Sequence, residues 1–207
     1  MPAERIALAT LLAPDNRAPL ERVATAITEG AVVVYPTETI YGIGGRADSG
    51  DVHRRIVAAK RRPPDQPMIL IAGRRSSFSS LDISFPSTAL RLAAAFWPGP
   101  LTLILPSSGS REGRAVRISD HPFLTAIAPF CSVPLYSTSA NQSGVPYCPD
   151  PETIYTVFEK QADFMIDAGT LPASAPSTLV RVAADGAVTV LREGGIPAAA
   201  IDTALGC

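Results

Sequence analysis

Short apolar runs that alternate with segments of helical spacing constrain the fold of this 207-residue chain most strongly. The runs are about five residues long, are rich in aliphatic side chains, and cover residues 31–35, 68–72, 101–105 and 133–137. Such runs are typical of strands that a sheet buries on both faces. Because these strands alternate with helical segments, the chain is predicted to form an α/β sheet flanked by helices.

The helical segments are recognised by their spacing and by their ends. Leu20, Val23, Ala24 and Ile27 recur at helical intervals, and Gly30 can adopt the left-handed conformation that ends many helices. Further helices are predicted at residues 50–60, 86–96, 120–130 and 150–160, with a short one from Pro197.

A hairpin late in the chain makes the predicted sheet mixed. The Asp185-Gly186 pair predicts a tight turn between strands at residues 178–182 and 188–191, which requires an antiparallel pair. No linker and no internal repeat interrupts the sequence. We therefore expect a single domain over residues 1–207, built on an open sheet with parallel and antiparallel strands.

Glycine and polar residues predict three local features. Residues 107–114 have the composition of a mobile surface loop. Asp120 and Asp150 each precede a helical segment and are predicted N-caps. Residues 42–47 match the G-x-G-x-x-A pattern of dinucleotide-binding folds, but no helix is predicted to begin there. We interpret this stretch as a glycine turn that allows close packing of the backbone.

The composition excludes several classes of protein. With 46% apolar and 18% charged residues, the chain is neither disordered nor of low complexity. Cys131, Cys148 and Cys207 lack the spacing of a zinc site or a disulfide framework and fit a reducing compartment. No apolar run reaches the ~20 residues that cross a bilayer, and residues 6–13 are too short for a signal peptide. We therefore expect a cytoplasmic protein that is not bound to a membrane.

Positive charge is concentrated in one stretch of the chain. Residues 46–75 contain eight Lys and Arg against three Asp, which gives +5, and the net charge of −1 leaves −6 for the remainder. The net charge favours neither nucleic acid nor an anionic membrane. The local excess, centred on Lys60-Arg61-Arg62, indicates an anion site or, alternatively, a solvated helix face.

Polar clusters at the ends of predicted strands form the candidate site. They are Pro36-Thr37-Glu38-Thr39, Lys60-Arg61-Arg62-Pro63, Arg117, Ser137-Thr138-Ser139-Ala140-Asn141, Ser177-Thr178 and Arg192. In open α/β sheets such strand ends line ligand crevices. The chain has no Walker motif, no nucleophile elbow, no H-E-x-x-H motif and only two histidines. Cations and hydroxyls without a carboxylate cluster suit a polyanion such as a nucleoside triphosphate.

Seven segments in this order also match the signatures of a known family. They read YPTETIYGIG at residues 35–44, KRRP at 60–63, WPGPLT at 97–102, AVRI at 115–118, STSANQSG at 137–144, PST at 176–178 and LREG at 191–194. The sequence thereby resembles the YrdC family of threonylcarbamoyl-AMP synthases over residues 20–195. Each motif is short, but together they are highly specific.

The resemblance implies a twisted α/β sheet with a basic cleft that condenses L-threonine, bicarbonate and ATP into threonylcarbamoyl-AMP and pyrophosphate for tRNA modification. The residues that match positions at the nucleotide are Lys60, Arg62, Ser139, Asn141 and Arg192. Lys60 and Arg62 would also act in catalysis by screening charge. The residues that match positions around threonine or its carbamate are Thr37, Arg117, Ser137 and Thr178. Mg²⁺ would be carried by the phosphates with few protein ligands. Further partners would be the proteins that transfer the product to tRNA, and tRNA itself.

Two other functions stay open. A carbamoyltransferase that forms a carbamoyl-adenylate is accompanied by zinc-finger and acylphosphatase-like segments, which this sequence lacks. A non-catalytic RNA-binding module has no need of the hydroxyls in residues 137–141. Two positions depart from larger family members, because Ile71 and Tyr147 stand where some of them have a polar ligand-contacting residue. Those members also append a second domain, so we expect weaker retention of the product by a chain that ends at Cys207.

Overall fold

The computed structural model describes residues 1–206 and contains one ten-stranded sheet with helices on both faces. The strands are β1 (Glu4–Ala7), β2 (Val33–Tyr35), β3 (Gly42–Arg46), β4 (Ile69–Ala72), β5 (Leu101–Ser107), β6 (Ser110–Ile118), β7 (Leu135–Ser139), β8 (Phe164–Asp167), β9 (Thr178–Val182) and β10 (Val188–Arg192). The helices are α1 (Leu8–Leu11), α2 (Ala18–Glu29), α3 (Gly50–Lys60), α4 (Ser87–Phe96), α5 (Pro122–Ile127), α6 (Pro151–Phe158) and α7 (Ala198–Leu205).

The sheet is open and mixed, with the strand order β1-β8-β2-β3-β7-β4-β6-β5-β9-β10. The pairs β1–β8, β2–β8, β4–β6 and β5–β9 are parallel. The pairs β2–β3, β3–β7, β4–β7, β5–β6 and β9–β10 are antiparallel. The predicted α/β fold with an open mixed sheet and flanking helices is confirmed.

Helices cover both faces because the central strands are apolar on both sides. In β2, Val33 packs with the apolar residues of α1, α2 and α5, whereas Val34 packs with those of α3 and α6. In β4, Ile71 faces the first of these layers, and Leu70 faces the opposite side, where α4 and α7 pack. This alternation is the two-residue period of a strand. Neighbouring residues of one strand therefore belong to different cores.

The expectation of a mobile loop at residues 107–114 is wrong. β5 continues to Ser107 and β6 begins at Ser110, so that the two strands form a long hairpin in which Leu105 pairs with Arg114. Gly113 has a φ of +80° beside an irregularity in the pairing. The backbone hydrogen bonds that pair two strands do not require apolar side chains. The polar sequence therefore marks a hairpin that extends beyond the core rather than a loop.

Residues 42–46 form strand β3 rather than the predicted glycine turn, but the predicted close packing of the backbone is present. A Cβ on Gly44 would lie 1.8 Å from the backbone oxygen of Tyr136, and one on Gly45 would lie 2.5 Å from that of Ala31. Glycine is thus required because neighbouring backbone occupies the space of a side chain.

One of the two predicted helix N-caps is confirmed and the other is wrong. Asp150 caps α6, because its carboxylate accepts a hydrogen bond from the backbone N–H of Thr153 at 2.9 Å. Asp120 does not cap α5; the N-cap is His121, whose Nδ1 accepts from the backbone N–H of Phe123. Pro122 occupies the first turn and shifts the helix start by one residue. None of the helices within residues 1–206 is long and apolar enough to span a bilayer.

Candidate active site

A cleft of about 340 Å³ lies where the β2–β3 turn meets β4, β6 and β7 and the segment before β9. Six of the nine predicted site residues line it, namely Thr37, Arg62, Arg117, Ser137, Ser139 and Arg192. A wider concavity of about 610 Å³ along the β5–β6 hairpin contains none of the nine. We assign the candidate site to the smaller cleft because three arginines and several hydroxyls converge there.

Lys60 lies behind the cleft wall rather than on it. It is the last residue of α3, and its side chain is buried, with Nζ donating to the backbone oxygens of Ser139 and Asn141, the latter at 2.6 Å. The Oδ1 atom of Asn141 is 3.3 Å from the same ammonium and accepts from Ser139 Oγ at 2.5 Å. Burial, with a smaller contribution from Arg62, lowers the pKa of Lys60 to about 8. Lys60 thus holds the turn that follows β7.

Arg62 reaches the cleft from the segment after α3. Its Nη2 donates to the backbone oxygens of Gln66 at 2.8 Å and Pro67 at 3.0 Å, and its Nη1 donates to Thr138 Oγ1 at 3.3 Å. Its Nε is buried without a hydrogen-bond partner in the described part of the chain. Burial lowers the pKa of Arg62, which an anion in the cleft would offset.

Arg192 closes the opposite side of the cleft, at the end of β10. Its Nη2 donates to the backbone oxygen of Ser177 at 2.8 Å, which ties the strand to the segment before β9. Ser137, on β7, is buried and also lines the cleft. These two residues therefore bring a cation and a hydroxyl from distant parts of the sequence to one surface.

The hydroxyls of Thr37 and Thr178 are engaged within the protein. Thr37 Oγ1 donates to the backbone oxygen of Ile40 at 2.7 Å and accepts from the backbone N–H groups of Thr39 and Ile40. Thr178 Oγ1 donates to the backbone oxygen of Ile196 and accepts from two backbone N–H groups. Thr178 is completely buried and does not line the cleft. Both hydroxyls hold turns, and neither has a free donor for a ligand.

Arg117 is the most enclosed cation of the cleft. Its Nε donates to the backbone oxygen of Gly99 and its Nη1 donates to Thr39 Oγ1, both at 3.2 Å. Its Nη2 lies 2.6 Å from Oε1 of Glu38, but the angles do not make a hydrogen bond, and neither atom has another protein partner within residues 1–206. Glu38 Oε2 accepts from Ser119 Oγ at 2.5 Å. A buried ion pair therefore lies at the wall of the cleft.

Glu38 and Thr39 belong to one of the predicted polar clusters, but the sequence assigned neither of them a role at a ligand, and it did not indicate Ser119. A carboxylate between two threonines directly after a buried strand was the signal that could have indicated Glu38.

The two positions that differ from larger family members lie in different surroundings. Ile71 packs in the core, and the Tyr147 hydroxyl accepts a hydrogen bond from the backbone N–H of Tyr41 at 2.9 Å. Among the described residues, no group of three or more His, Cys, Asp or Glu is placed to hold a metal ion.

The chain is similar in sequence and in fold to known proteins. A threonylcarbamoyl-AMP synthase of Bacillus subtilis is 33% identical over 200 residues, which cover 92% of this chain and 58% of that protein. One of Vibrio cholerae is 32% identical over 173 residues, which cover 77% of this chain and 90% of that protein. The crystal structure of P. abyssi Sua5 complexed with L-threonine superposes with a TM-score of 0.86 at 29% identity, covering 100% of this chain and 61% of that one.

The relatives differ in length from this chain, which spans little more than half of the Bacillus protein. The family model Sua5/YciO/YrdC, described as telomere recombination, matches residues 25–194. That range contains all nine predicted site residues and every wall of the cleft. The chain therefore belongs to the Sua5/YciO/YrdC family.

Proposed function

We propose that this chain is an L-threonylcarbamoyladenylate synthase. The observation that carries the proposal is the convergence of Arg62, Arg117 and Arg192 with hydroxyl side chains in one cleft of a family member whose curated relatives bear that activity in their names. The threonine complex of P. abyssi Sua5 supports threonine as the amino acid. Guanidinium groups suit both ATP and threonine, because they bind phosphate and carboxylate through paired N–H groups.

The proposed reaction has two bond-forming steps. The amine of threonine joins the carbon of bicarbonate with loss of water and gives a carbamate. A carbamate oxygen then attacks the α-phosphorus of ATP, the bond to the bridging α–β oxygen breaks, and pyrophosphate leaves with the electron pair. Catalysis arises from positioning and charge screening.

Each cleft residue has a proposed role. Arg62 binds the triphosphate, Arg192 and Ser139 contact the nucleotide, and Arg117 with Ser137 binds threonine or its carbamate. Lys60 and Asn141 act from behind the wall by holding Ser139 in place, and Lys60 adds positive charge there. Thr37 and Thr178 shape the turns at the two ends of the cleft.

The remaining participants are proposed from the resemblance of the motifs. Mg²⁺ enters on the phosphates of ATP, bicarbonate supplies the carbamate carbon, and the adenylate passes in the cytoplasm to proteins that modify tRNA, with tRNA as a further ligand. The arginines and hydroxyls of the cleft are suitable hydrogen-bond donors to the phosphate oxygens of ATP.

Labelled bicarbonate tests the proposal directly. The chain is incubated with ATP, MgCl₂, L-threonine and either ¹²C- or ¹³C-bicarbonate, and the products are analysed by mass spectrometry. We expect a threonylcarbamoyl-AMP ion that shifts by one mass unit with the label. An adenylated product without the label, or no adenylated product at all, contradicts the proposal.

A further inference from the structure

The side chain of Glu38 pairs with Arg117, a residue that lines the candidate site. Its carboxylate does not line the cleft, and it lies between the Arg117 guanidinium and the hydroxyl of Ser119. The side chain of Arg117 is 5% exposed and that of Glu38 is 19% exposed. At this depth the two charges are screened little by solvent, so the carboxylate has a strong influence on where the guanidinium lies.

The protein contacts restrain Arg117 on three sides. A guanidinium has five N–H groups. Gly99 accepts from Nε, Thr39 accepts from Nη1, and Glu38 lies against Nη2. The N–H groups of Arg117 that these contacts leave free are therefore held in a fixed orientation, because the side chain cannot rotate freely.

The contact also continues into the β2–β3 turn. The hydroxyl of Thr39, which accepts from Arg117 Nη1, lies 2.9 Å from the hydroxyl of Thr37. Thr37 Oγ1 in turn donates to the backbone oxygen of Ile40. A continuous set of contacts thus connects Arg117 through Thr39 and Thr37 to the backbone of the turn.

We propose that Glu38 is a positioning residue of the threonine site, which holds Arg117 so that its free N–H groups meet the carboxylate of the amino acid. This inference rests on the proposed function. A buried ion pair adds little net stability compared with a well-packed apolar pair. The pair is better explained by the orientation that it imposes on a cation at the cleft wall.

The experiment compares Glu38→Gln, which keeps the shape and removes the charge, with the wild type. Pyrophosphate release is measured with threonine varied at saturating ATP and with ATP varied at saturating threonine. We expect the KM for threonine to rise about 10-fold, the lower end of what loss of a charge-assisted contact produces, and the KM for ATP to stay within twofold. Glu4→Gln is the matched control, because Glu4 forms a comparable but half-exposed pair with Arg22, and it should change neither constant.

A purely structural role predicts a different pattern. It would reduce the amount of active enzyme, and hence kcat, with both KM values unchanged, and that result overturns the proposal. In an Arg117→Met background, the added Glu38→Gln change should leave the threonine KM unaltered, because Glu38 acts through Arg117. Additive effects would also overturn it.

A second variant decides the question where Glu38→Gln does not fold. Ser119→Ala removes the hydrogen bond to Glu38 Oε2 but keeps both charges, and we expect the threonine KM to rise about threefold with the ATP KM unchanged. An unchanged threonine KM in this variant contradicts the proposal. Pyrophosphate release that does not depend on threonine in the wild type contradicts the proposed function, whereas an unchanged threonine KM in the variants contradicts only the role of Glu38.

Discussion

The side-chain ammonium of Lys60 lies 2.6 Å from the backbone oxygen of Asn141, where it ties the end of α3 to the turn after β7. The neighbouring Ser139 carbonyl accepts from the same ammonium. An ammonium has three N–H groups, and these acceptors together with Asn141 Oδ1 engage all of them. Lys60 therefore organises a wall of the cleft without facing the cleft itself.

This arrangement predicts how stability depends on pH. Burial lowers the pKa of Lys60 from 10.5 to about 8 in the folded protein, so between these pH values the unfolded chain binds a proton that the folded protein does not. The stability of the wild type relative to Lys60→Met should therefore increase as the pH rises from 8 to 10.5. Urea unfolding of both proteins across this range measures the difference. If the difference in unfolding free energy stays constant or shrinks as the pH rises, Lys60 does not have the lowered pKa of a buried ammonium. Lys160→Met, at an exposed position, serves as the control.

Arg62 is predicted to bind the phosphates of ATP. Arg62→Ala should raise the KM for ATP or lower kcat/KM about 10- to 100-fold, since a charge-assisted contact contributes roughly 1.5 to 3 kcal/mol. The control is Arg54→Ala on the preceding helix, whose side chain is 74% exposed and pairs with Asp51 at the surface. Unchanged ATP kinetics in Arg62→Ala would remove this residue from the site.

The amino-acid preference should follow the order threonine, serine, valine. Serine lacks only a methyl group, worth ~1 to 3 kcal/mol in a fitted pocket, whereas valine leaves the hydroxyl partners in the cleft unpaired. Because the Thr37 hydroxyl is engaged by the backbone, Thr37→Val should reduce kcat/KM for threonine and serine by a similar factor. Adenylate formation with the three amino acids tests both statements. Equal use of valine and threonine by the wild type, or a selective loss of threonine activity in Thr37→Val, contradicts them.

Close backbone packing at β3 predicts a large effect on folding. Gly44→Ala places a Cβ 1.8 Å from a backbone oxygen that cannot move without distorting β7, so we expect a loss of about 3 kcal/mol or more in unfolding free energy. Gly144→Ala is the contrast, because among the described residues beyond its two chain neighbours no atom lies within 4 Å of the added Cβ, so that its φ of +77° is what opposes the change. Comparable stability of the two variants in urea unfolding would show that Gly44 is not tightly enclosed.

The sequence was sufficient to predict the elements whose signal is local. The apolar runs at β2 and β4, the Gly30 end of α2 and the Asp150 cap of α6 each depend on neighbouring residues, and the structure contains all four. The apolar parts of β5 and β6 were predicted as strands at residues 101–105 and 115–118, but their polar extension was missed because backbone pairing holds it without an apolar pattern.

The site was predictable only as a set of residue types. The motifs indicated which residues to expect near the ligands, but they could not show that Thr178 is buried or that Lys60 faces carbonyl oxygens, because both facts depend on partners distant in the sequence. The Glu38–Arg117 pair joins residues 79 positions apart that the β2–β3 turn and β6 bring together. A contact of this kind has no signature in the local sequence.

The central claim is that one cleft unites ATP, threonine and bicarbonate, and pyrophosphate release with each omitted in turn tests it most directly. We expect release with all three present and MgCl₂ added, and only background release when threonine or bicarbonate is left out. The Arg62→Ala variant should reduce the complete reaction at limiting ATP, whereas Arg54→Ala should not. Pyrophosphate release that continues without threonine or bicarbonate, or no release from the complete mixture, would contradict the account.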